Sequence, residues 1–332
     1  MTKLAVLLAA TLTLSTVFAQ SGASEAPGTS IDVGGHSLQL YCVGEGSPTV
    51  VFDAGLGDGS INFRSLQSRV ARFTRACTYD RAGYGYSDAG PEPRDMDTLV
   101  SELETLLVQA NESGPFVLAA HSYGGVITLS FAHRNPGAVA GVVLIDSSHP
   151  DQMTALASVP EVMAVQDMEM AGMADLVAAA EAGALPVEAV LPGAPPVLSP
   201  ALQQTWAELF VTPKQLKALV AEYSVIEDAL AQASGNVDIG DTPLIVLSRG
   251  IGLEGQLPAE ALEALGLTQD VLDRFNAAWA DLQVDLATLS TDSKRVVAER
   301  STHYVYYGQP ELVEAAIREL VREARAGMVH AH

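Results

Sequence analysis

Ser122 is the side chain best placed by its neighbours to act as a nucleophile. It is the centre of Ala120-His121-Ser122-Tyr123-Gly124, a small-any-Ser-any-Gly spacing. A serine on a sharp strand-to-helix turn stands exposed at a sheet edge, and its neighbours at two residues either side must be small because the turn leaves no room. The apolar run FVLAA at 116–120 precedes it, and a helical pattern follows to about residue 135. The first turn of that helix offers free N–H groups and a positive dipole end to negative charge at Ser122. The blander reading is a serine that merely caps a helix; the strand-turn-helix context argues against it.

A serine needs a base. Of the seven histidines, His330 and His332 stand in the terminal tail and His36 in a first hairpin. His121 adjoins the nucleophile, where side chains are expected to diverge; His133 lies in the following helix and His149 opens a helical stretch. His303, in Glu299-Arg300-Ser301-Thr302-His303-Tyr304, follows the last strand-like run and so belongs on the strand-end face that carries Ser122. Its blander reading is a polar loop residue. A third group must orient the imidazole and stabilise its charged form. Asp241 and Asp292 precede strands, at the wrong end. Asp146 ends VVLID and Glu254 follows LIVL, both on the right face. Asp146 is preferred because a strand terminus is rigid; Glu254 remains the alternative, and a turn-capping role is the blander reading of Asp146.

An oxyanion needs two donors. The N–H of Tyr123, just after the nucleophile, is one. The second is assigned to Leu56 in the loop Ala54-Gly55-Leu56-Gly57 after TVVFD.

The elements that must position these groups alternate in type. Strand-like runs at 30–33, 37–43, 49–53, 76–79, 116–120, 139–145, 244–247 and 295–297 are interleaved with helical patterns at 97–111, 268–289 and 309–326. Asp97 is placed to cap the first of these helices. Such alternation implies a mostly parallel sheet with helices on its faces. Residues 151–237 are rich in Ala, Leu, Met and Glu and show no strand pattern, so they read as a helical cap over one sheet end.

Asp80-Arg81-Ala82-Gly83-Tyr84-Gly85-Tyr86-Ser87, the turn around Ser122, Val143-Leu144-Ile145-Asp146, Ser301-Thr302-His303-Tyr304 and Gln309-Pro310-Glu311 together resemble the α/β-hydrolase superfamily. The resemblance spans about residues 30–325. It implies an α/β-hydrolase fold: an eight-stranded, mostly parallel sheet with helices on both faces and a helical cap inserted after the sixth strand. The implied core is 30–150 and 238–328, the cap 151–237. Two departures stand out: the His-Gly frequent before the oxyanion loop is Ala54-Gly55 here, and Ser248-Arg249-Gly250-Ile251-Gly252-Leu253-Glu254 lacks the Asp usual after the seventh strand. Relatives that place the acid after the sixth strand match Asp146. Epoxide hydrolases and haloalkane dehalogenases on this fold use an Asp nucleophile, so Ser122 points instead to acyl transfer to water, with Ser122, Asp146 and His303 as the triad. The resemblance also places the Cys42 and Cys77 strands side by side, so a Cys42–Cys77 disulfide is expected.

At 332 residues and 48% hydrophobic, the chain can bury a large core. A net charge of −22 argues against nucleic acid and anionic membrane surfaces as partners and gives anionic substrates no steering. Residues 1–19 read as an export signal: Lys3, then an apolar run with Val17 and Ala19 at the −3 and −1 positions. A membrane anchor is the alternative. Residues 20–29 read as a linker, no later stretch is apolar enough to span a bilayer, and export permits a disulfide. No HExxH, CxxC or phosphate loop appears, so no cofactor or metal is expected. Met153, Met163, Met168, Met170 and Met173 in the cap suit either a deformable apolar pocket or ordinary helix packing. The expectation is an exported serine esterase for small neutral or apolar esters. The alternatives are a non-hydrolytic binding protein on the same fold, a perhydrolase or an aminopeptidase.

Overall fold

The computed structural model describes residues 28–330, with side chains to 327. The export signal and nearly all of the linker lie outside the described residues. The chain opens with strands β1 (Thr29–Asp32), β2 (Ser37–Val43) and β3 (Val50–Asp53), helix α1 (Arg64–Val70) and β4 (Ala76–Asp80). Helix α2 (Met96–Gln109), β5 (Phe116–His121), α3 (Tyr123–Arg134) and β6 (Val139–Ile145) follow. The stretch after β6 is helical, as expected: α4 (Gln152–Leu156), α5 (Pro160–Glu181), α6 (Val187–Val190), α7 (Pro200–Phe210), α8 (Pro213–Ser224) and α9 (Ile226–Ala233). Strand β7 (Leu244–Arg249), α10 (Ala259–Ala264), α11 (Gln269–Leu286), β8 (Ser293–Ala298), α12 (Val305–Gly308) and α13 (Pro310–His330) complete it.

One eight-stranded sheet runs in the order β1-β2-β4-β3-β5-β6-β7-β8, with β2 antiparallel to both its neighbours, β1 and β4, and every other pair parallel. The central strands are continuous apolar runs because both faces are covered. Alternate residues point to opposite faces. Val51, Leu118, Val142 and Val246 pack with α2 and α3, whereas Val50, Val117, Val143 and Ile245 pack with α1 and α13. Leaving β3, the chain goes first to one side and then crosses to the other, so β3 and β5 are neighbours. Ligands favour the crevice at such a reversal of strand order. Register pairs Asp53 with Ala120, which sets the loop after β3 beside the turn after β5.

Cys42 and Cys77 are register partners on β2 and β4 and form a disulfide. Asp97 does not cap α2. Asp95 does, accepting from the Thr98 N–H at 3.0 Å, because it sits just outside the helix where a side chain can fold back onto the first turn. Helices α10 and α11 also do more than cover the core. Leu262, Leu267, Val271 and Phe275 share a separate apolar cluster with Leu156, Val159 and Val162 of the stretch after β6.

Helix α8 is fixed to the core through Arg81, in the loop after β4. The Arg81 side chain is buried, and all five of its N–H groups are spent. Two go to Glu222 of α8, at 2.8 Å each, and one to Asp53 at 3.1 Å. The other two go to the carbonyls of Ala54 (2.6 Å) and Gly55 (2.9 Å). The Tyr84 hydroxyl adds a third donor to Glu222, and Gln215 Nε2 donates to the Gly57 carbonyl. Among the described residues no helix is long and apolar enough to cross a membrane.

Candidate active site

Ser122 sits between the last residue of β5 and the first of α3, with φ 51° and ψ −124°. A non-glycine residue there costs on the order of 1–3 kcal/mol, and surrounding contacts must hold it. Its N–H donates to the Ile145 carbonyl at 3.3 Å, and its carbonyl accepts from the N–H groups of Gly125 (2.9 Å) and Ser148 (3.0 Å). Gly124 is required by close approach: a Cβ there would lie 2.5 Å from the Ala54 carbonyl oxygen. The loop after β3 is equally close to the nucleophile, since a Cβ on Gly55 would lie 3.2 Å from the Ser122 Cβ. Leu56 is the next residue in that loop, and Tyr123 opens α3 directly after Ser122.

Asp146 follows β6, fully buried, in the left-handed region at φ 42°. His303 follows β8, its side chain 19% exposed. Its Nδ1–H donates to Asp146 Oδ2 at 2.6 Å, which leaves Nε2 as the bare, proton-accepting nitrogen. Asp146 is held from every side. Oδ1 accepts from the Arg249 backbone N–H and from Trp279 Nε1, both at 3.0 Å, and Oδ2 also accepts from the Arg249 guanidinium at 3.2 Å. Burial alone would raise its pKa, but the His303 hydrogen bond and the Arg249 charge outweigh burial and hold the carboxyl at about 2. Glu254 stands apart, accepting from the Gly252 N–H (3.2 Å) and from Asn276 Nδ2 (2.8 Å).

The remaining histidines with described side chains have other partners. His36 meets Glu102, His133 meets the Asp238 carbonyl, and His149 meets Asp285. His121 diverges from Ser122 as expected but turns under the site rather than away from it. Its ring centroid is 4.5 Å from that of His303, and its Nε2–H donates to the His303 carbonyl at 3.2 Å. Burial pushes the imidazole well below its ordinary value, so it stays neutral. Its Nδ1, buried without a hydrogen-bond partner, faces Asp58 Oδ2 at 3.8 Å. Burial pushes Asp58 up to about 7, and Arg81, the phenols of Tyr306 and Tyr304 and the Asn62 amide offset this only in part.

Sequence reasoning named Ser122, His303, Leu56 and Tyr123 and ranked Asp146 first as the acid; of these the structure pairs His303 with Asp146 and sets Gly55, just before Leu56, against Ser122. It missed Arg249, Trp279 and Asp58. Arg249 carried a signal, being a cation at the strand terminus where related chains put an acid. Trp279 and Asp58 carried none, because their roles follow from tertiary packing.

The chain belongs to the alpha/beta hydrolase family, whose description matches residues 50–316. It is 26% identical over 277 residues to the uncharacterized protein YqjL of Bacillus subtilis (strain 168), covering 83% of this chain and 85% of that one. Among solved structures it is similar to a thermophilic esterase from Thermogutta terrifontis, with 19% identity, TM-score 0.59, and 90% and 99% of the two chains covered. It is also similar to a loop variant of a haloalkane dehalogenase from Bradyrhizobium elkanii, with 18% identity, TM-score 0.65, and coverage of 92% and 99%. At these identities the two structures speak for the fold alone.

Proposed function

We propose that this hydrolase cleaves carboxylic esters through an acyl-enzyme on Ser122, with His303 as base, Asp146 as its orienting acid, and the Leu56 and Tyr123 N–H groups as oxyanion donors. The observation that carries this reading is the 2.6 Å hydrogen bond from His303 Nδ1 to a carboxylate held ionised, on the same sheet edge as a serine in a strained turn. Ser122 Oγ bonds to the ester carbonyl carbon as its proton passes to His303 Nε2. The carbonyl electrons collect on the oxygen between the two N–H donors. When the intermediate collapses, the carbon–oxygen bond to the alcohol breaks and the imidazolium returns the proton to the leaving oxygen. Water then repeats the sequence on the acyl-enzyme and releases the acid.

A serine rather than a carboxylate at the turn supports acyl transfer over halide displacement. Residues 151–237 serve as the cap in this reading, with 30–150 and 238–328 as the core. The acidic surface and the cap methionines favour small neutral or apolar esters. The Cys42–Cys77 disulfide supports export to an oxidising compartment. A fluorophosphonate probe should label the wild-type chain covalently at Ser122 and leave Ser122→Ala unlabelled with its fold intact. Labelling that survives in Ser122→Ala, or that maps to another residue, would reject the mechanism.

A further inference from the structure

The strand terminus where related chains carry an acid holds Arg249, and its guanidinium reaches across to the acid that this chain places after β6. An ionised carboxylate offers about four lone-pair directions. All four on Asp146 are taken, by His303, Trp279 and two groups of Arg249. The Arg249 guanidinium and the His303 imidazole share one oxygen, Oδ2, at 3.2 and 2.6 Å. The Arg249 side chain is only 7% exposed and lies over the Trp279 ring at 4.8 Å and the Phe275 ring at 5.4 Å. In that setting its charge is poorly screened by water.

We infer that Arg249 is a positioning residue that offsets part of the Asp146 charge and so keeps the neutral, proton-accepting form of His303 available at lower pH. This rests on reading Ser122, His303 and Asp146 as the reacting set. A lone buried carboxylate beside an imidazole favours the imidazolium, which cannot accept a proton from serine. A cation on the same oxygen weakens that preference while leaving the Nδ1–H hydrogen bond, and hence the tautomer, in place. The other titratable groups facing this set are few. His121 and Tyr304 pack on the His303 ring, and Glu254 acts on Arg249 from a distance. Asp58 lies beyond His121. Trp279 approaches both His303 and Asp146 but carries no charge.

The test is the rate of fluorophosphonate labelling of the full chain against pH. In Arg249→Met the acid limb should move up by about one pH unit, since a single neighbouring charge shifts a titration by that order. Labelling at the low-pH end then falls about tenfold relative to the plateau. Arg249→Lys, which keeps a cation but loses the stacking on Trp279 and Phe275, should leave the limb closer to wild type than Arg249→Met does. Trp279→Phe removes a donor from the same carboxylate but no charge, so it should lower the rate and leave the limb in place. Coincident limbs in wild type and Arg249→Met, or equal shifts in Arg249→Met and Trp279→Phe, would overturn the inference. Should Arg249→Met fail to fold, Arg249→Gln, which keeps a donor without the charge, must show the same shift. Failure of the underlying reading looks different: labelling would then persist in Ser122→Ala whatever stands at 249.

Discussion

Asp146 faces His303 and Asp58 faces His121, two imidazoles in close tilted contact, and the protein treats the two carboxyls oppositely. Both sit on the segment that follows a parallel strand, and both side chains are almost out of water. Asp146 is held at about 2, whereas Asp58 is pushed to about 7. Asp146 receives a guanidinium, an indole, a backbone N–H and an imidazole. Asp58 receives the Asn62 amide at 2.8 Å and the phenols of Tyr304 and Tyr306, all neutral, while Arg81 spends all five donors on Glu222, Asp53 and the loop carbonyls. Burial raises both values. At Asp146 the His303 hydrogen bond and the Arg249 cation overcome it, whereas at Asp58 neutral donors do not, and this separates a carboxylate fit to steady an imidazolium from a carboxyl fit to face a neutral histidine.

The largest effect that sharpens this contrast is expected at Asp146. Asp146→Asn keeps the shape but removes the charge and releases the His303 tautomer, and labelling of Ser122 should fall about 10³–10⁴-fold. Asp58→Asn, which copies the protonated state favoured there below about pH 7, should change the rate measured below that pH by less than about threefold. Equal losses in the two variants would show that the two aspartates are not distinguished as described. Circular dichroism and the unfolding midpoint of Asp146→Asn check that the loss is not simple unfolding around an unpaired Arg249.

The second effect is on stability, and its sign differs between the two sites. Asp146 binds its proton less readily folded than unfolded, where its ordinary value is 3.8. Its contribution is therefore present above about pH 4 and lost as pH falls toward 2. Asp58 does the reverse: between about pH 4 and 7 the folded chain holds a proton that the unfolded chain has released, so stability falls as pH rises through that window. Asp58→Asn should match wild type near pH 4 and exceed it above pH 7 by on the order of a few kcal/mol. Denaturant midpoints at pH 4, 6 and 8 measure this; parallel curves for the two proteins would contradict the assignment for Asp58.

What the sequence made legible follows the same division. The sheet, the turn at Ser122 and the position of His303 were readable because continuous apolar runs, small residues around a serine and chain order are local signals. Asp146 was readable as a strand-terminal carboxylate, but its advantage over Glu254 was only positional. What settles its charge state comes from His303 after β8 and Arg249 on β7, 157 and 103 residues away in the chain, and Trp279 on α11, 133 residues away, adds a donor to its other oxygen. No local pattern marks a tryptophan whose indole N–H faces a distant carboxylate. Asp97 failed as a cap for a similar reason at short range: two acids stand two residues apart, and only backbone geometry decides which folds back.

Trp279 supplies the third test. Removing its N–H in Trp279→Phe leaves one lone pair of a buried carboxylate unmet, a cost of about 1.5 kcal/mol or more. Stability should drop by that amount, and labelling should slow about tenfold as Asp146 holds His303 less firmly. An unchanged rate would mean that Arg249 and the backbone N–H alone fix the carboxylate.

The smallest effect is expected at Glu254, and it decides which acid serves His303. Glu254 lies in the loop after β7, where an orienting carboxylate would be sought first by analogy. Its partners, the Gly252 N–H in its own loop and the Asn276 amide on α11, fasten that loop and do not reach His303. Glu254→Gln retains an oxygen for either contact, so labelling should stay within about twofold and stability within about 0.5 kcal/mol, as for an ordinary surface substitution. Glu254 also bears on Arg249 from a distance, and its removal leaves that cation slightly more able to offset Asp146. The acid limb of labelling should then move, if at all, to lower pH, opposite to Arg249→Met. A loss in Glu254→Gln comparable to that in Asp146→Asn would transfer the acid's role across the β6–β7 pair, and the 2.6 Å contact to His303 would then have to be a resting arrangement rather than the working one.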